Sequence, residues 1–520
     1  MSLTRAKAGM ITYKSDGTGA VVRTIKDKLG ETVSVKDFGA VGDGVTDDTA
    51  AIQAAFATGK NIGFPKGTYN VNGSLVVGSL QCVFAYNAVI VWTGDSSTPL
   101  FTKGTGEASY IKGGLYTGAP SAWLEATGAS YDPSSISDYA RFEVQDVQVS
   151  GAGIFINALN AARFKVSNSK SVTTNGFNCY GKIVEVKISD CVIFGTGAAS
   201  SYGIKAEAHV SALASSYPEG FHITNCTLDQ FDNTIDLRDI FLFTVSNSWI
   251  SEGPDSFPIY IKKGHTTHCR EITFNGNTIS GGIYFDALAG GNEYHCQIVN
   301  NIFTNVSGQG VYIRGNSSGI KIANNTFEPP QAGTNYALHI EDNCYRIDFN
   351  SNKIASTFDR GLVISGASGN DINVWDNTGD LVTFNSSLSR PVYYRNNGTD
   401  AEELTVQLTG TGVANTTNFT GSITTKFAKG ERGLIIFSLN VGALTADGYF
   451  IPQVPTGVEM PDGSGWDAQF ISVNSAAPAT HVTIPFYCSA DVSSGSFALQ
   501  QFNCTSATLG SHSSMTIVRL

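Results

Sequence analysis

The sequence predicts an all-β protein in which a long parallel β-solenoid is followed by a C-terminal β-sandwich. Three observations lead to this fold class. The chain is rich in Gly, with 56 residues, and only 15% of its 520 residues are charged. A short motif recurs between about residues 160 and 380, and no helical periodicity lies between its copies. Short β-type runs joined by polar turns at such a period are typical of stacked coils.

The first predicted element after a polar start is a short capping helix near residues 47–57. Thr46 or Asp47 can cap its N-terminus, and Ile52 and Phe56 form an apolar face four residues apart. A solenoid end exposes both its core and its strand edges, so a cap is physically required. We interpret the pair Asp47-Asp48 as part of this cap rather than as a metal site.

The repeat itself is a hexad: an apolar residue, any residue, then usually Asn or Asp, then any two residues, and usually an apolar residue again. Successive third positions are 22 to 35 residues apart. Asn and Asp tolerate left-handed turns, and an Asn amide can hydrogen-bond the next Asn of a stack. We therefore expect these residues to form stacked corners. The third positions are Asn168, Asp190, Asn225, Asn247, Gly276, Asn300, Asn324, Ser351 and Asp376.

A second strand follows each hexad, with two apolar residues flanking one outward side chain, as in Ile259-Tyr260-Ile261. In register, these strands would carry one outward ladder along the solenoid and a second ladder two residues further on. The first ladder is Lys205, Asp236, Tyr260, Tyr284, Tyr312, His339 and Val363. The second ladder is Glu207, Arg238, Lys262, Asp286, Arg314, Glu341 and Ser365.

The repeat ends at about residue 391. Five further β-type runs follow, separated by Gly, Asp and Ser turns, and they predict a β-sandwich of jelly-roll type. The predicted organisation is thus a short segment 1–30, a solenoid 31–390 and a sandwich 391–520. Nine scattered cysteines without a CxxC pair indicate buried thiols rather than disulfides or a zinc site, so we expect no metal and no cofactor.

Charge and hydropathy exclude several classes of partner. Lys and Arg number 33 against 44 Asp and Glu, so the net charge is −11, which argues against nucleic-acid binding. No apolar run approaches the length of a membrane helix, and the N-terminus has no signal-peptide core, so we expect no membrane insertion.

One segment carries a family resemblance. DFGAVGDGVTDDTAAIQAA followed by FPKGTYNV, within Val35–Val71, resembles the opening signature of the pectate-lyase-like right-handed parallel β-helix superfamily. In this form it is similar to bacteriophage tailspikes and capsule depolymerases, and the upstream run Gly17–Val33 resembles the linker that enters such spikes. The resemblance implies a homotrimer on the phage tail of a virion, attached through the N-terminus or an adaptor protein. It also implies binding, and usually cleavage, of capsular or lipopolysaccharide glycan.

Glycosidic hydrolysis usually requires two carboxyl groups, about 5–5.5 Å apart for retention and about 6.5–9.5 Å for inversion. Neighbouring or alternate coils supply both spacings. Candidate catalytic residues are Asp236 and Asp286 on the outward ladders, and Glu252 and Asp255 in the turn between them. We expect Glu252 to act with Asp236 or Asp286, although a trimer would also let such a pair span two subunits.

Aromatic and basic residues beside these acids are candidates for substrate binding. Flat rings can stack on sugar C–H surfaces, and cations would suit an acidic polysaccharide. The same rings could instead form a stabilising stack or a subunit interface, and the charges could neutralise one another. The candidates are Trp249, Tyr260, Tyr284, Tyr312, Arg238, Lys262, Arg314 and His339.

Two other function classes stay open on sequence grounds. A lyase would abstract a proton from a uronic acid with a Tyr, His or Lys base, while a cation neutralises the carboxylate. Side chains of these types cluster at Tyr260, Lys262, His265, His268, Arg270, Tyr284 and His295. A glycan-binding spike without catalysis, or an esterase, is the third possibility.

Overall fold

A computed structural model describes most of the chain. The described residues are 9, 11–129, 136–209, 217–252, 257–262, 269–287, 292–328, 335–341, 344–355, 358, 360–364, 372–375 and 377, together with the strands between 392 and 519 given below. They fall into two compact units, Met1–Asp255 with Gly264–Thr267 and Ser256–Lys263 with His268–Leu520. Each unit is described separately.

The first unit contains three parallel sheets, and each complete coil contributes one strand to each sheet. The first coil has the helix Thr49–Phe56 and no third-sheet strand. Strands of its first sheet are Thr32–Ser34, Asn61–Gly63, Cys82–Phe84, Ser109–Lys112, Phe142–Gln145, Ala162–Ser167, Val184–Ser189, Glu219–Thr224 and Phe241–Ser246. Those of its second sheet are Asp43–Asp47, Gly67–Val71, Ala88–Trp92, Leu115–Thr117, Gln148–Ser150, Lys170–Val172, Val192–Phe194, Thr227–Phe231 and Trp249–Glu252. Those of its third sheet are Leu75–Val76, Phe101–Lys103, Ala122–Thr127, Ile154–Leu159, Asn175–Tyr180, Tyr202–Glu207 and Asn233–Arg238.

The second unit has the same three-strand coil pattern. Its first sheet has Arg270–Asn275, Asn292–Val299, Ser317–Ala323, Tyr345–Asn350, Ile372–Trp375 and Val392–Arg395. Its second sheet has Thr278–Ser280, Ile302–Thr304, Thr326–Phe327 and Lys353–Ile354, and its third has Ile259–Lys262, Ile283–Asp286, Gln309–Arg314, Tyr336–Ile340 and Arg360–Ile364. The predicted parallel β-solenoid is therefore confirmed.

Beyond residue 402 the strands pair antiparallel. The long strand Arg432–Leu444 pairs with both Ala479–Cys488 and Ser514–Arg519. The other strands are Glu402–Gln407, Gly410–Val413, Ile423–Phe427, Gly448–Gln453, Val458–Glu459, Ile471–Val473, Val492–Phe502 and Ser506–Leu509. A β-sandwich in this region, the homotrimer and the domain boundaries at 30/31 and 390/391 remain predictions.

The first unit begins with a small cap. Thr12–Lys14 and Val22–Thr24 pair antiparallel and lead into the helix Ile25–Leu29. A 3₁₀ turn, Val35–Phe38, precedes the capping helix Thr49–Phe56, in which Ile52 and Phe56 are buried. A second 3₁₀ turn spans Ile136–Asp138. Among the described residues no helix has the length and apolar character to cross a membrane.

The signature residues around this helix have structural roles. Asp48, 1% exposed, accepts hydrogen bonds from the backbone N–H groups of Val41 (2.6 Å) and Gly42 (3.1 Å). Gly42 has a φ of +69°, and a Cβ there would lie 2.7 Å from the buried ring of Tyr69. The N-cap residue of the helix is Asp48, and not Thr46 or Asp47 as the sequence predicts. Asp47, one residue earlier, accepts from the backbone N–H of Thr49, and the Thr46 hydroxyl donates to Asp43. The signature therefore builds the first coil.

Replacing Asp48 is expected to loosen this cap. Asp48→Ala leaves two part-buried N–H groups without their acceptor, at a cost of about 1–3 kcal/mol for each buried group. We expect a lower unfolding midpoint and faster amide exchange in residues 40–56. Asp43→Ala, at the exposed start of the strand Asp43–Asp47, is the control, because the two N–H groups that lose their acceptor belong to the exposed residues Val45 and Thr46. Equal effects of the two variants would contradict this role.

The corners of the hexads have the conformation that the sequence predicts. Every described third position has a positive φ, between 48° and 70°: Asn168, Asp190, Asn225, Asn247, Gly276, Asn300, Asn324 and Ser351. Asp376 lies outside the described residues. Corner-to-corner contacts also occur in the first unit, where the Asn225 amide donates to Asp190 (3.3 Å) and the Asn168 amide to Asp146 (2.5 Å).

In the second unit the continuous amide stack lies one residue later than predicted. Its members are Asn277, Asn301, Asn325, Asn352 and Asn377, each at most 3% exposed. Asn301 is typical: its Oδ1 accepts from the backbone N–H and the amide of Asn277, both at 3.0 Å. Its own amide donates to Phe274 O and to Asn325 Oδ1, again at 3.0 Å. We call this set the asparagine ladder.

Candidate functional site

The third sheet of the first unit carries the candidates Asp236 and Arg238. Their strand, Asn233–Arg238, alternates inward apolar residues such as Ile235 and Leu237, both fully buried, with outward polar ones. Lys205 pairs directly with Asp236, and Glu207 pairs with Arg238 on the neighbouring coil. The predicted outward ladders are thus in register here.

The four side chains form one compact charge cluster. Two nitrogens of Arg238 lie 3.2 Å and 3.4 Å from the carboxylate of Asp236. A third nitrogen lies 3.6 Å from Glu207, which also contacts Lys205 at 3.1 Å. The exposed fraction of the side chain is 11% for Glu207 and 13% for Asp236. We call Glu207 and Asp236 the carboxylate pair, because both contact one guanidinium from adjacent strands.

Glu207 was not among the catalytic candidates from sequence. The sequence predicts Glu207 on the second outward ladder. The two ladder acids proposed as catalysts, Asp236 and Asp286, lie two coils apart, so the acid on the coil adjacent to Asp236 was not considered. The signal was present, since aligning Ile204-Lys205-Ala206 with Ile235-Asp236-Leu237 puts Glu207 beside Arg238 and diagonal to Asp236.

In the second unit the predicted aromatic ladder is a continuous column. Tyr260, Tyr284, Tyr312 and His339 pair in register on successive strands of the third sheet. Ring centroids are 5.4 Å apart for Tyr260 and Tyr284, 5.1 Å for Tyr284 and Tyr312, and 4.9 Å for Tyr312 and His339. Phe257 adds a further ring, 5.4 Å from that of Tyr284. We call these five residues the ring column.

The ring column differs from the expectation that its rings offer free faces to a sugar. Tyr312 lies between Tyr284 and His339, with interplanar angles of 35° and 18°. The guanidinium of Arg314 lies 5.2 Å from the ring centre of Tyr284, which is only 8% exposed. In-register stacking thus brings the faces of Tyr284, Tyr312 and His339 toward one another, whereas Tyr260 meets Tyr284 edge to face at 76°. The column therefore stabilises the coils, and glycan contact through it would rely on hydroxyl and charged groups.

The charged residues beside the column also pair among themselves. Arg314 contacts Asp286 at 3.0 Å, and the Tyr284 hydroxyl donates to the same carboxylate at 3.3 Å. Tyr312 donates to Glu341 at 2.5 Å, and Lys262 lies 4.3 Å from the ring centre of Tyr260. Since Arg238 and Arg314 both face carboxylates, the structure lends no support to a preference for acidic glycan.

Burial shifts the pKa values of three members of the ring column, Tyr284, Tyr312 and His339. Desolvation, with a smaller contribution from Asp286, raises the pKa of Tyr284 to about 12. Desolvation and the hydrogen bond to Glu341 raise the pKa of Tyr312 as well. Burial lowers the pKa of His339, opposed by the nearby Glu341. Neither phenol is therefore suited to act as a base near neutral pH.

The half-buried imidazole of His339, 12% exposed, makes the stability of the fold depend on pH. A His whose folded pKa is depressed stabilises the fold above its unfolded pKa of about 6.5, and this contribution is lost as the pH falls. His339→Gln should therefore flatten the drop in unfolding midpoint between about pH 7.5 and about pH 5.5. The exposed His222 offers the control His222→Gln, and an unchanged slope in His339→Gln would refute the prediction.

The remaining candidates are distributed over other places. Trp249, 39% exposed, lies on the second sheet of the first unit, and not on the third sheet with Asp236. Glu252 ends the same strand, opposite Phe231. The carbonyl of the preceding Ser251 accepts from Thr234 Oγ1 at 2.5 Å, so the backbone there lies close to the start of strand Asn233–Arg238. Asp255 lies outside the described residues.

The predicted lyase cluster is not assembled on one sheet. Arg270 and His295 lie on the first sheet of the second unit, whereas Tyr260, Lys262 and Tyr284 lie on its third sheet. His295 contacts Glu271 at 3.2 Å. His265 and His268 lie outside the described residues. Within the described part of the chain, no three His, Cys, Asp or Glu side chains are grouped to hold a metal ion.

A comparison with known protein families identifies the family of this solenoid. The model of the family described as rhamnogalacturonase A/epimerase, pectate lyase-like, matches residues 32–335, more than half of the chain. The chain belongs to this family. The match includes the capping helix Thr49–Phe56 and the carboxylate pair. The resemblance inferred from the signature is therefore confirmed.

Individual relatives match shorter segments. The tail spike protein of an Escherichia phage is 38% identical over 112 residues, which are 22% of this chain and 13% of that protein. The capsule-specific depolymerase 1 of Klebsiella phage K5-2 is 49% identical over 55 residues, 10% of this chain and 7% of that protein. The matched segments thus span a small part of these curated relatives.

A solved structure of a double mutant of the tailspike protein of E. coli bacteriophage HK620 covers 98% of this chain and 97% of its own. Its TM-score is 0.42 and the sequence identity is 12%.

Proposed function

We propose that the protein is a phage tailspike enzyme that recognises and depolymerises a bacterial surface polysaccharide, capsule or O-antigen, by carboxylate-catalysed hydrolysis. Family membership and the names of the phage relatives support a spike that acts on glycan. The observation that carries the hydrolytic chemistry is the carboxylate pair, Glu207 and Asp236, on adjacent outward strands of one sheet.

The proposed roles follow from the contacts of each acid. Asp236 is held by two nitrogens of Arg238, which keeps its carboxylate oriented to act as base or nucleophile at the anomeric carbon. Glu207 is its proposed partner and donates a proton to the glycosidic oxygen as the bond to the leaving sugar breaks. Water then supplies the hydroxyl at the anomeric carbon. Its proton passes to Asp236 where Asp236 acts as the base, or to Glu207 where Asp236 is the nucleophile and its bond to the sugar breaks.

The other predicted acids remain proposals. Glu252 belongs to the coil after Asp236, and its backbone approaches the start of the same third-sheet strand. Asp286 is paired with Arg314 in the second unit. Asp255 stays a sequence-based candidate. The substitutions Glu252→Gln, Asp286→Asn and Asp255→Asn distinguish these residues from the carboxylate pair.

A lyase is the second candidate function. Its support is a relative named alginate lyase 7 from Azotobacter vinelandii, 43% identical over 70 residues, or 12% of this chain and 8% of that protein. The raised pKa values of Tyr284 and Tyr312 weigh against phenolate bases in the ring column. A glycan-binding spike without catalysis is the alternative if binding occurs without cleavage.

The same proposal includes assembly and location. A homotrimer attached to the phage tail or to an adaptor through residues 1–30, with 391–520 contributing trimerisation or carbohydrate binding, follows from the resemblance to tailspikes. Light scattering of the purified chain tests the trimer.

The activity is tested by incubating the protein with capsular and O-antigen polysaccharides from a bacterial panel. Hydrolysis predicts shorter fragments with new reducing ends and no ultraviolet absorbance from unsaturated uronic acids. Shortening with rising absorbance would indicate elimination, and retention of intact glycan would indicate a binding spike.

A further inference from the structure

A row of half-buried polar side chains leads away from the carboxylate pair. Glu125, Asn157, Asn178, Lys205 and Asp236 pair in register on consecutive third-sheet strands of the first unit. At a strand spacing of about 4.8 Å, the row is roughly 19 Å long. We call it the polar track. Of its members, only Lys205 and Asp236 belong to the outward ladders predicted from the sequence.

The first three members are linked but retain hydrogen-bonding capacity. The Asn178 amide donates to Asn157 Oδ1 at 2.8 Å, and the Asn157 amide donates to Glu125 at 3.1 Å. An Asn side chain offers two donors and two acceptor lone pairs, so these contacts leave further groups for a ligand. Their fixed orientation lowers the entropy cost of binding.

Two tyrosines border the track. Tyr180 lies two residues beyond Asn178 on the same strand, and Tyr202 lies three residues before Lys205. Both side chains are half-buried, and Nζ of Lys205 lies 5.9 Å from the ring centre of Tyr202. Tyr rings beside amide groups match a sugar, which presents apolar C–H patches and a rim of hydroxyl groups.

The charges of the track exclude one class of sugar. Lys205 contacts Glu207, and Arg238 beside the track contacts both members of the carboxylate pair. The cations are thus matched by carboxylates, and Glu125 adds a further negative charge. A uronic acid bound along the track would bring its negative charge toward that of Glu125. The cations at the track, Lys205 and Arg238, already contact carboxylates of the protein.

We propose that the polar track is a binding subsite for several uncharged sugar residues, which extends the proposed hydrolytic site along the coils. The proposal rests on the proposed function for its position relative to the scissile bond. Amide hydrogen bonds and the two tyrosines determine specificity, so the preferred substrates are neutral polysaccharides.

The test measures binding and cleavage separately on the full chain. The probes are O-antigen and capsular polysaccharides sorted by chemical analysis into neutral and uronic-acid-containing sets, with Kd measured by calorimetry. We expect binding to neutral members, weakened about 3- to 10-fold by Asn157→Ala and by Asn178→Ala, since a hydrogen bond contributes modestly. Asn225→Gly, at an exposed corner between the first and second sheets, is the matched control and should bind like the wild type.

The outcomes separate the two proposals. If the glycan is cut but the two Asn variants bind and cut normally, the track is wrong and the hydrolytic site stands. If neutral glycan is bound through the track but never shortened, the track stands and hydrolysis fails. Binding confined to uronic-acid polysaccharides, or no binding at all, overturns the track.

Discussion

Asp236→Asn and Glu207→Gln should each reduce the rate of glycan shortening by roughly 10²–10⁴-fold, the usual contribution of a positioned acid or base. Each substitution preserves size and removes the carboxylate that contacts Arg238. Fragment size is followed by gel filtration at matched protein concentration. Neither change creates a cavity, so circular dichroism should match that of the wild type. Each change leaves a cation of the charge cluster with one carboxylate partner fewer, so we expect a lower unfolding midpoint without loss of the fold.

The first unit offers a matched control for these variants. Glu185 also contacts an arginine, Arg163, at 3.1 Å, but it is 46% exposed and lies on the first sheet. Glu185→Gln removes an exposed ion pair, which is worth about 0–1 kcal/mol, and should leave cleavage unchanged. Wild-type rates in both carboxylate-pair variants would exclude the pair and return attention to Glu252 and Asp286.

Asn301→Ala should be the most destabilising single substitution described here. It removes the acceptor of the Asn277 backbone N–H and amide and the donor to Phe274 O, all in a fully enclosed stack. Each buried group left without a partner costs about 1–3 kcal/mol, so we expect a loss of at least about 3 kcal/mol. Urea unfolding followed by fluorescence measures it.

Asn300→Gly is the control for the ladder. Asn300 is the preceding corner residue, exposed, with a φ of 59°, and its amide donates to Asn275 at 2.9 Å. Glycine adopts a positive φ without strain, so we expect Asn300→Gly to lower the free energy of unfolding by much less than Asn301→Ala does. Equal destabilisation by the two substitutions would show that the corner, and not the ladder, stabilises the coils.

The sequence was sufficient for the solenoid because coil stacking imposes a period on it. Corner residues such as Asn225 and Asn324 must adopt a left-handed turn, and flanking pairs such as Ile259 and Ile261 must enter the core, so both leave a readable pattern. The ring column followed from the same register. The sequence analysis predicts the amide stack one residue before the asparagine ladder, although the doublets Asn300-Asn301 and Asn324-Asn325 contain both positions.

The candidate site was less predictable because outward residues have no such constraint. Glu207 and Asp236 form a pair because both contact the guanidinium of Arg238. These contacts depend on side-chain conformation as well as on strand register. A related reason explains why the ring faces of Tyr284 and Tyr312, which the sequence analysis expects to be free for a sugar, instead contact each other, His339 and Arg314. Neighbouring side chains at the strand spacing satisfy one another before any ligand arrives.

The most direct test of the hydrolytic account is a crystal structure of Asp236→Asn soaked with an oligosaccharide that the wild type produces. We predict sugar density over the third sheet of the first unit, along the polar track, with one glycosidic oxygen within hydrogen-bonding distance of Glu207. Density confined to any other surface, with the carboxylate pair untouched, would contradict the account.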